Sequence, residues 1–320
     1  MILVFSTLSD PSTSDVIDWL LYMGEEVYRV NNISDLQLLL IKMQGLELIN
    51  NFKKDEFYNI NSVWYRRRPA NLSCEIDNNF QASKDINKFF QSEQDGFYIS
   101  MCKLLSKKKW LNNFDNSRPN KIMQLLFANQ VGLNIPDSKL IVDKETILSF
   151  AKNKPKIIIK PIQDVVTVFE GNIPYTQYTK ILTIADIKKL PLSFFPCLVQ
   201  EFIEKNLEIR IFFIENKLYS MAICSTHDKK TSIDFRKYNH KYPNRNVPYK
   251  LPLIIEEKII LLMKKLKLNS GSLDLILSEK GEYYFLEVNP VGQFGMVSGP
   301  CNYYIEKIIA QSLCNYKINY

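Results

Sequence analysis

Two apolar runs near the end of the chain, Ser272–Leu277 and Tyr283–Asn289, each hold an acidic residue, Asp274 in the first and Glu287 in the second. Between them Ser278–Glu282, with its glycine at 281, reads as the turn of a hairpin. Side chains alternate across a strand, so Glu287 and Asn289 point the same way, and pairing about that turn brings Asp274 to their face. Three oxygen donors then converge on one spot. Such a set suits a hard cation like Mg2+ bound together with substrate phosphates. The alternative is an ordinary hairpin with polar residues on its wet face, and acids set inside apolar runs weigh against it.

The rest of the chain narrows the choice. Its 320 residues suffice for two or three domains of roughly 100–200 residues each. Hydrophobic residues make up 46% and charged residues 23%, the balance of a soluble globular protein. Ten glycines is a low number, so any loop that grips phosphate here is glycine-poor. Cysteines 74, 102, 197, 224, 301 and 314 form no C-x-x-C pair and read as isolated intracellular thiols. The two histidines, His227 and His240, flank a polar loop without nearby carboxylate pairing, which argues against a histidine base or metal site. The chain opens on a strand-like run, Met1–Ser6, with no basic leader, and no segment nears about 18 uninterrupted apolar residues. The expectation is a cytoplasmic protein with no membrane partner. A net charge of +7 favours anionic ligands, and no nucleic-acid-binding motif accompanies it. Lys107–Lys109 reads as solvated surface.

Periodicity predicts an α/β unit over the first ~115 residues. Strands are expected at Ile2–Phe5, Glu26–Val30, Glu47–Ile49 and Ser62–Arg67, the last with Phe52–Tyr58 as hairpin partner. Helices are expected at Asp15–Met23, Ser34–Met43 and Asn87–Leu105, the third with Phe89, Phe90, Phe97, Met101, Leu104 and Leu105 as its apolar stripe. The Asn-rich stretch Asn112–Asn120 reads as a linker. Beyond it come a helix at Lys121–Val131, a strand at Pro155–Pro161 ending on Lys160, a strand at Pro196–Ile203, a hairpin of Glu208–Ile214 with Lys217–Cys224, a polar loop at Ser225–Pro248 and a helix at Glu256–Leu266.

The Asp274 … Glu287-x-Asn289-Pro290 arrangement resembles the metal-binding end of the ATP-grasp ligases. The run from Glu287 through Val291-Gly292-Gln293-Phe294-Gly295 to Ser298, and Val63-Trp64-Tyr65-Arg66-Arg67-Arg68-Pro69 far upstream, are similar to a narrower group: the ATP-grasp maturases of graspetide biosynthesis, microviridin-type and grasp-with-SPASM. The resemblance spans essentially the whole chain. It implies an α/β ATP-grasp fold of three subdomains (1–118, 119–195 and 196–320), with ATP held between the central and C-terminal ones. It also implies ATP and Mg2+ as cofactors, and a precursor peptide, leader plus acidic core, as partner of a homodimer.

Carried residue by residue, the resemblance gives Mg2+ to Asp274, Glu287 and Asn289. Lys160 and Lys121 are then nucleotide lysines, Gln200, Glu201 and Phe202 the adenine hinge, and Glu208 the ribose acceptor. Arg236 and Arg210 fall near the transferred phosphoryl group, although an ion pair with Glu208 is a serious rival role for Arg210. In the arginine run, alternation places Arg66 and Arg68 on one face and Arg67 on the other, and Arg67 is preferred to Arg66 for the peptide carboxylate. One departure stands out: where many ATP-grasp enzymes have a glycine-rich flap, Gln163–Gly171 has a single glycine at its end. The implied reaction is ATP-dependent closure of ω-ester or ω-amide rings through an acyl-phosphate. The alternatives are a ligase adding an amino acid to a protein or small molecule, and a nucleotide-binding scaffold without turnover.

Overall fold

The computed structural model describes residues 1–35, 40–42, 45–47, 59–72, 82–118, 120–163, 167–171, 173–176, 179–224 and 245–314. It divides into two units: Met1–Ser117 with Gln293–Ser298 and Tyr304–Tyr320, and Arg118–Gly292 with Gly299–Tyr303. Among the described residues no helix is long and apolar enough to cross a membrane.

The first unit contains β1 (Ile2–Phe5), α1 (Pro11–Tyr22), β2 (Val27–Val30), β3 (Leu40–Lys42), β4 (Gly45–Glu47), β5 (Ser62–Tyr65), α2 (Ser83–Leu104) and β6 (Lys109–Leu111). Four of these strands form a parallel sheet in the order β2-β1-β5-β6. A parallel sheet is covered on both faces, which is why Ile2–Phe5 and Ser62–Tyr65 are buried without a break.

Several sequence expectations are corrected here. Both edges of β5 are taken by parallel neighbours, so it has no place for a hairpin partner; residues 52–58 themselves lie outside the described residues. Within the helix expected at Ser34–Met43, Leu40–Lys42 is instead a strand paired with Gly45–Glu47. A short apolar run such as Leu38–Ile41 fits either state by periodicity. In α2 the buried stripe is Tyr98, Met101, Cys102 and Leu105, while Phe89 is 59% exposed. The expected stripe holds at Met101 and at Leu105, the residue that caps the helix, and shifts from the phenylalanines to Tyr98 and Cys102.

The second unit holds α3 (Lys121–Gln130), β7 (Ser138–Asp143), α4 (Lys144–Ala151), β8 (Ile157–Lys160), β9 (Thr167–Glu170), β10 (Ile173–Thr176), β11 (Lys180–Leu182), α5 (Ile184–Lys188) and β12 (Ser193–Glu201). It continues through β13 (Lys205–Ile214), β14 (Lys217–Cys224), β15 (Arg245–Tyr249), α6 (Leu253–Lys265), β16 (Ser270–Ser278) and β17 (Tyr283–Asn289). Helix starts follow their caps: Asn120 Oδ1 accepts the Ile122 N–H at 2.8 Å, Asp143 Oδ1 accepts that of Thr146, and Thr183 with Asp186 forms a capping box.

Two antiparallel sheets organise this unit, β11-β8-β12-β7 and β15-β14-β13-β16-β17. One face of the first sheet buries Ile141, Ile157 and Val199 against Ile147 of α4 and Ile187 of α5. The second sheet buries Ile209, Ile211, Leu273, Leu275 and Phe285 against Leu125 of α3 and Leu262 of α6. By alternation, the other faces carry Ile158, Lys160 and Gln200 in the first sheet, and Glu208, Arg210 and Asp274 in the second. The hairpin of β13 and β14 turns at Glu215 and Asn216, both at positive φ, as the tight primed turns require. The chain closes with α7 (Gly295–Cys301) and α8 (Ile305–Leu313). In the first unit α8 lies against α1, with Lys307 Nζ 5.1 Å from the Trp19 ring centre, and its last carbonyls accept from Ser62 Oγ and the Lys109 ammonium.

Candidate functional site

The polar faces of the two sheets in the second unit line a cleft of about 960 Å3, mouth included. Its walls include Ile158, Phe202, Ile203, Ile276 and Leu286, and its charged and amide residues are Lys121, Lys160, Gln200, Glu201, Lys205, Glu208, Asp274 and Glu287.

The acidic end is built by register. Asp274 on β16 stands opposite Glu287 on β17 and opposite Arg210 on β13, while Asn289 stands opposite Ser272. The turn closes as read, with the Ser278 N–H donating to Glu282 O at 2.9 Å and Gly281 at φ 81°. The ladder carries a bulge: Asp274 pairs with Glu287 but Leu275 with Phe285, leaving Leu286 as the extra residue. The bulge explains why neighbouring residues Leu286 and Glu287 both line the cleft, which strict alternation forbids.

Arg210 is held by Asp274 and not by Glu208: its Nη1 donates to Asp274 Oδ1 and Oδ2, each at 2.5 Å. Glu208 instead accepts from the Lys205 ammonium, with both side chains nearly buried. Lys121 Nζ lies 3.7 Å from Glu287 Oε2 and donates to Gln163 O at 2.9 Å. Lys160, at the end of β8, is 8% exposed. Each carboxylate of the acidic end thus has a cation beside it. Asn289 sits two pairs further along, exposed, its Oδ1 accepting the Val291 N–H at 3.0 Å.

Among the described residues no three His, Cys, Asp or Glu side chains cluster as a metal cage. Two facing carboxylates with an amide beyond them fit a cation that keeps waters and takes its other ligands from phosphates, as Mg2+ does.

At the hinge, the Glu201 N–H donates to Asp137 O at 2.9 Å and Glu201 Oε1 accepts the Asp137 N–H, so that backbone donor is already committed. Gln200 is 2% exposed and donates through Nε2 to Ser138 Oγ. The Phe202 ring has Lys156 Nζ 5.3 Å from its centre.

The arginine run belongs to the first unit. β5 ends at Tyr65, and the N–H groups of Arg66 and Arg67 both donate to Phe5 O, which curls the chain there. Strand alternation therefore does not apply, and the expected faces are corrected. Arg66 Nε and Arg67 Nε meet on one oxygen, Asp10 Oδ2, at 3.1 and 2.7 Å, while Arg68 goes to Asp95 and lies over the Tyr98 ring. The Arg66 side chain is 3% exposed and that of Arg67 37%. Arg66 also donates to Gln293 Oε1 at 3.4 Å and covers the Phe294 ring. Burial pushes the Asp10 carboxyl up, but Arg66 and Arg67 outweigh this and hold it below the usual carboxylate range. Burial pulls the Arg66 guanidinium down to about 10. Arg236, His227 and His240 lie outside the described residues.

Sequence reasoning missed Lys205, the apolar walls other than Phe202, and Gln124. The first two carry only the signal of strand alternation. Gln124 carries none, because what it grips is backbone 164 residues away.

No protein-family model and no curated protein matches the chain. Solved structures do. The macrocyclase MdnC of Microcystis aeruginosa MRC, bound with its precursor peptide MdnA, is 26% identical, with TM-score 0.81 over 98% of this chain and 99% of that one. A RiPP-associated ATP-grasp ligase of Chryseobacterium gregarium, in complex with ADP and a leader and core peptide, is 23% identical, with TM-score 0.81 over 98% and 96%. The ATP-grasp ligase PsnB, complexed with minimal precursor, Mg and ADP, is 17% identical, with TM-score 0.74 over 98% and 96%. The last two likenesses speak for the fold.

Proposed function

We propose that the chain is an ATP-grasp ligase of the group that matures ribosomally made peptides, and that it closes rings in a precursor peptide, joining Asp or Glu side-chain carboxylates to Ser or Thr hydroxyls or Lys amines. The observation that carries this reading is the convergence of Glu208, Asp274 and Glu287 with Lys121 and Lys160 on one cleft, within a chain similar to MdnC from end to end.

In this reading a peptide carboxylate takes the γ-phosphoryl group of ATP, giving an acyl-phosphate and ADP. A hydroxyl or amine of the same peptide then attacks the acyl carbon and phosphate leaves. Lys160 and Lys121 bind the phosphates as point charges on long stems. Glu208, oriented by Lys205, accepts from the ribose hydroxyls, and Phe202 with Glu201 and Gln200 seats the adenine. Asp274, Glu287 and Asn289 hold Mg2+, which when bound screens the phosphate charge from the incoming carboxylate. Arg210 and Arg236 stabilise charge on the transferred group. Arg67, the more exposed of the pair on Asp10, meets the peptide carboxylate, and Arg66 fixes the ground beneath it. Residues 119–195 and 196–320 are the two halves of the grasp, and the enzyme works as a cytoplasmic homodimer that recognises a leader segment.

The reading is tested with peptide whose carboxylates carry heavy oxygen. One label should pass to phosphate for each ring formed. Ring formation without label transfer would exclude the acyl-phosphate.

A further inference from the structure

Val288 lies between Glu287 and Asn289 on β17, the edge strand of its sheet. Its side chain, 3% exposed, points into the core, opposite to theirs. A strand offers its backbone groups alternately to its two edges, so Val288 presents its N–H and C=O outward, where no further strand of the described residues pairs. The Gln124 side chain of α3 takes that place. Gln124 Nε2 donates to Val288 O and Gln124 Oε1 accepts the Val288 N–H, both at 2.9 Å, in a buried setting where Gln124 is 3% exposed. A primary amide thus does the work of a neighbouring strand for one residue. The grip lies three residues, about one helical turn, from Lys121, which reaches Glu287. Asn134 O accepts the Phe285 N–H at 2.8 Å further along the same edge.

We propose that Gln124 is a positioning residue for the metal site: by clamping the backbone of Val288 it fixes the height and rotation of Glu287 and Asn289 on either side. This rests on those two residues binding Mg2+. A helix interior needs no glutamine at a buried position, and a core side chain there would leave the Val288 N–H and C=O without a partner.

The test is ATP binding by calorimetry across a Mg2+ series, with no peptide present, for wild type, Gln124→Met, Gln124→Glu and Leu125→Ala. Leu125 is a buried core residue of the same helix. Circular dichroism checks that each is folded. Gln124→Met should raise the Mg2+ concentration at half-maximal ATP binding tenfold or more, with ATP affinity restored at saturating Mg2+. Gln124→Glu keeps the acceptor for the Val288 N–H and, when protonated, a donor for Val288 O, and should shift it by a smaller factor. Leu125→Ala should lower the melting temperature without moving the Mg2+ requirement. An unmoved requirement in both Gln124 variants, or an equal shift in Leu125→Ala, overturns the proposal while leaving the metal reading intact. A wild type whose ATP binding ignores Mg2+ overturns both.

Discussion

Gly292 offers a sharp perturbation of the acidic end of the cleft. A Cβ built there would stand 2.4 Å from Ser272 Cβ, 2.5 Å from Ser272 Oγ and 3.0 Å from Asn289 O. Its φ is not in the left-handed region, so the cost of alanine is steric. Carbon pairs settle at about 3.5–4.0 Å, so the segments must part by about 1 Å. Ser272 is 1% exposed and stands opposite Asn289 in the ladder, which leaves it little room to yield. Overpacking of this kind costs about 1–3 kcal/mol. A shift of about 1 Å at reacting groups can lower turnover on the order of 10²-fold. Gly292→Ala should therefore lose both stability, measured by urea unfolding, and turnover, measured as ADP release with peptide. Ser272→Gly removes the two nearest atoms, so the double variant should recover much of the turnover, with a coupling of about 1 kcal/mol or more. Additive losses, within about 0.5 kcal/mol, would refute the steric argument, as would wild-type behaviour of Gly292→Ala alone.

Other outcomes follow from the same geometry. Glu287→Ala should abolish ring formation and also free Lys121 from its carboxylate, so Mg2+-dependent ATP affinity falls in calorimetry. Lys160→Met should weaken ATP binding by about 2 kcal/mol, some 30-fold, the scale of a hydrogen bond to a charged group; unchanged affinity would remove Lys160 from the phosphates. Asp10 is held below the usual carboxylate range, so its ionised form stabilises the fold above about pH 4, and that contribution is lost as pH falls through the lower folded value. Asp10→Asn should destabilise near neutrality by about 3 kcal/mol, since it weakens a buried pairing, and the loss should shrink in melting curves taken toward about pH 2.5.

What was legible in the sequence was whatever announces itself locally. Asp274 and Glu287 stood out because acids inside apolar runs contradict their surroundings, and the turn between them was marked by Gly281. The bulge at Leu286 left no such mark: one extra residue changes register without changing composition. The arginine run misled because alternation holds only while the strand lasts, and β5 ends one residue before Arg66. The rival role given to Arg210, pairing with Glu208, assumed that a neighbour on the same strand wins; the partner directly across the ladder, Asp274, wins instead. Gln124 and Asp10 were invisible for a common reason. Each earns its place through atoms distant in sequence, a backbone peptide at 288 and two guanidiniums at 66 and 67.

The account rests on dehydrative ring closure, and intact mass tests that most directly. A candidate precursor, any short peptide encoded in a neighbouring reading frame that ends in Thr and Asp or Glu residues, is incubated with this protein, ATP and Mg2+, alongside Glu287→Ala. The account predicts loss of one water's mass per ring with the native enzyme and none with the variant. ATP consumed while the peptide mass stays unchanged would contradict it and point to a different acceptor.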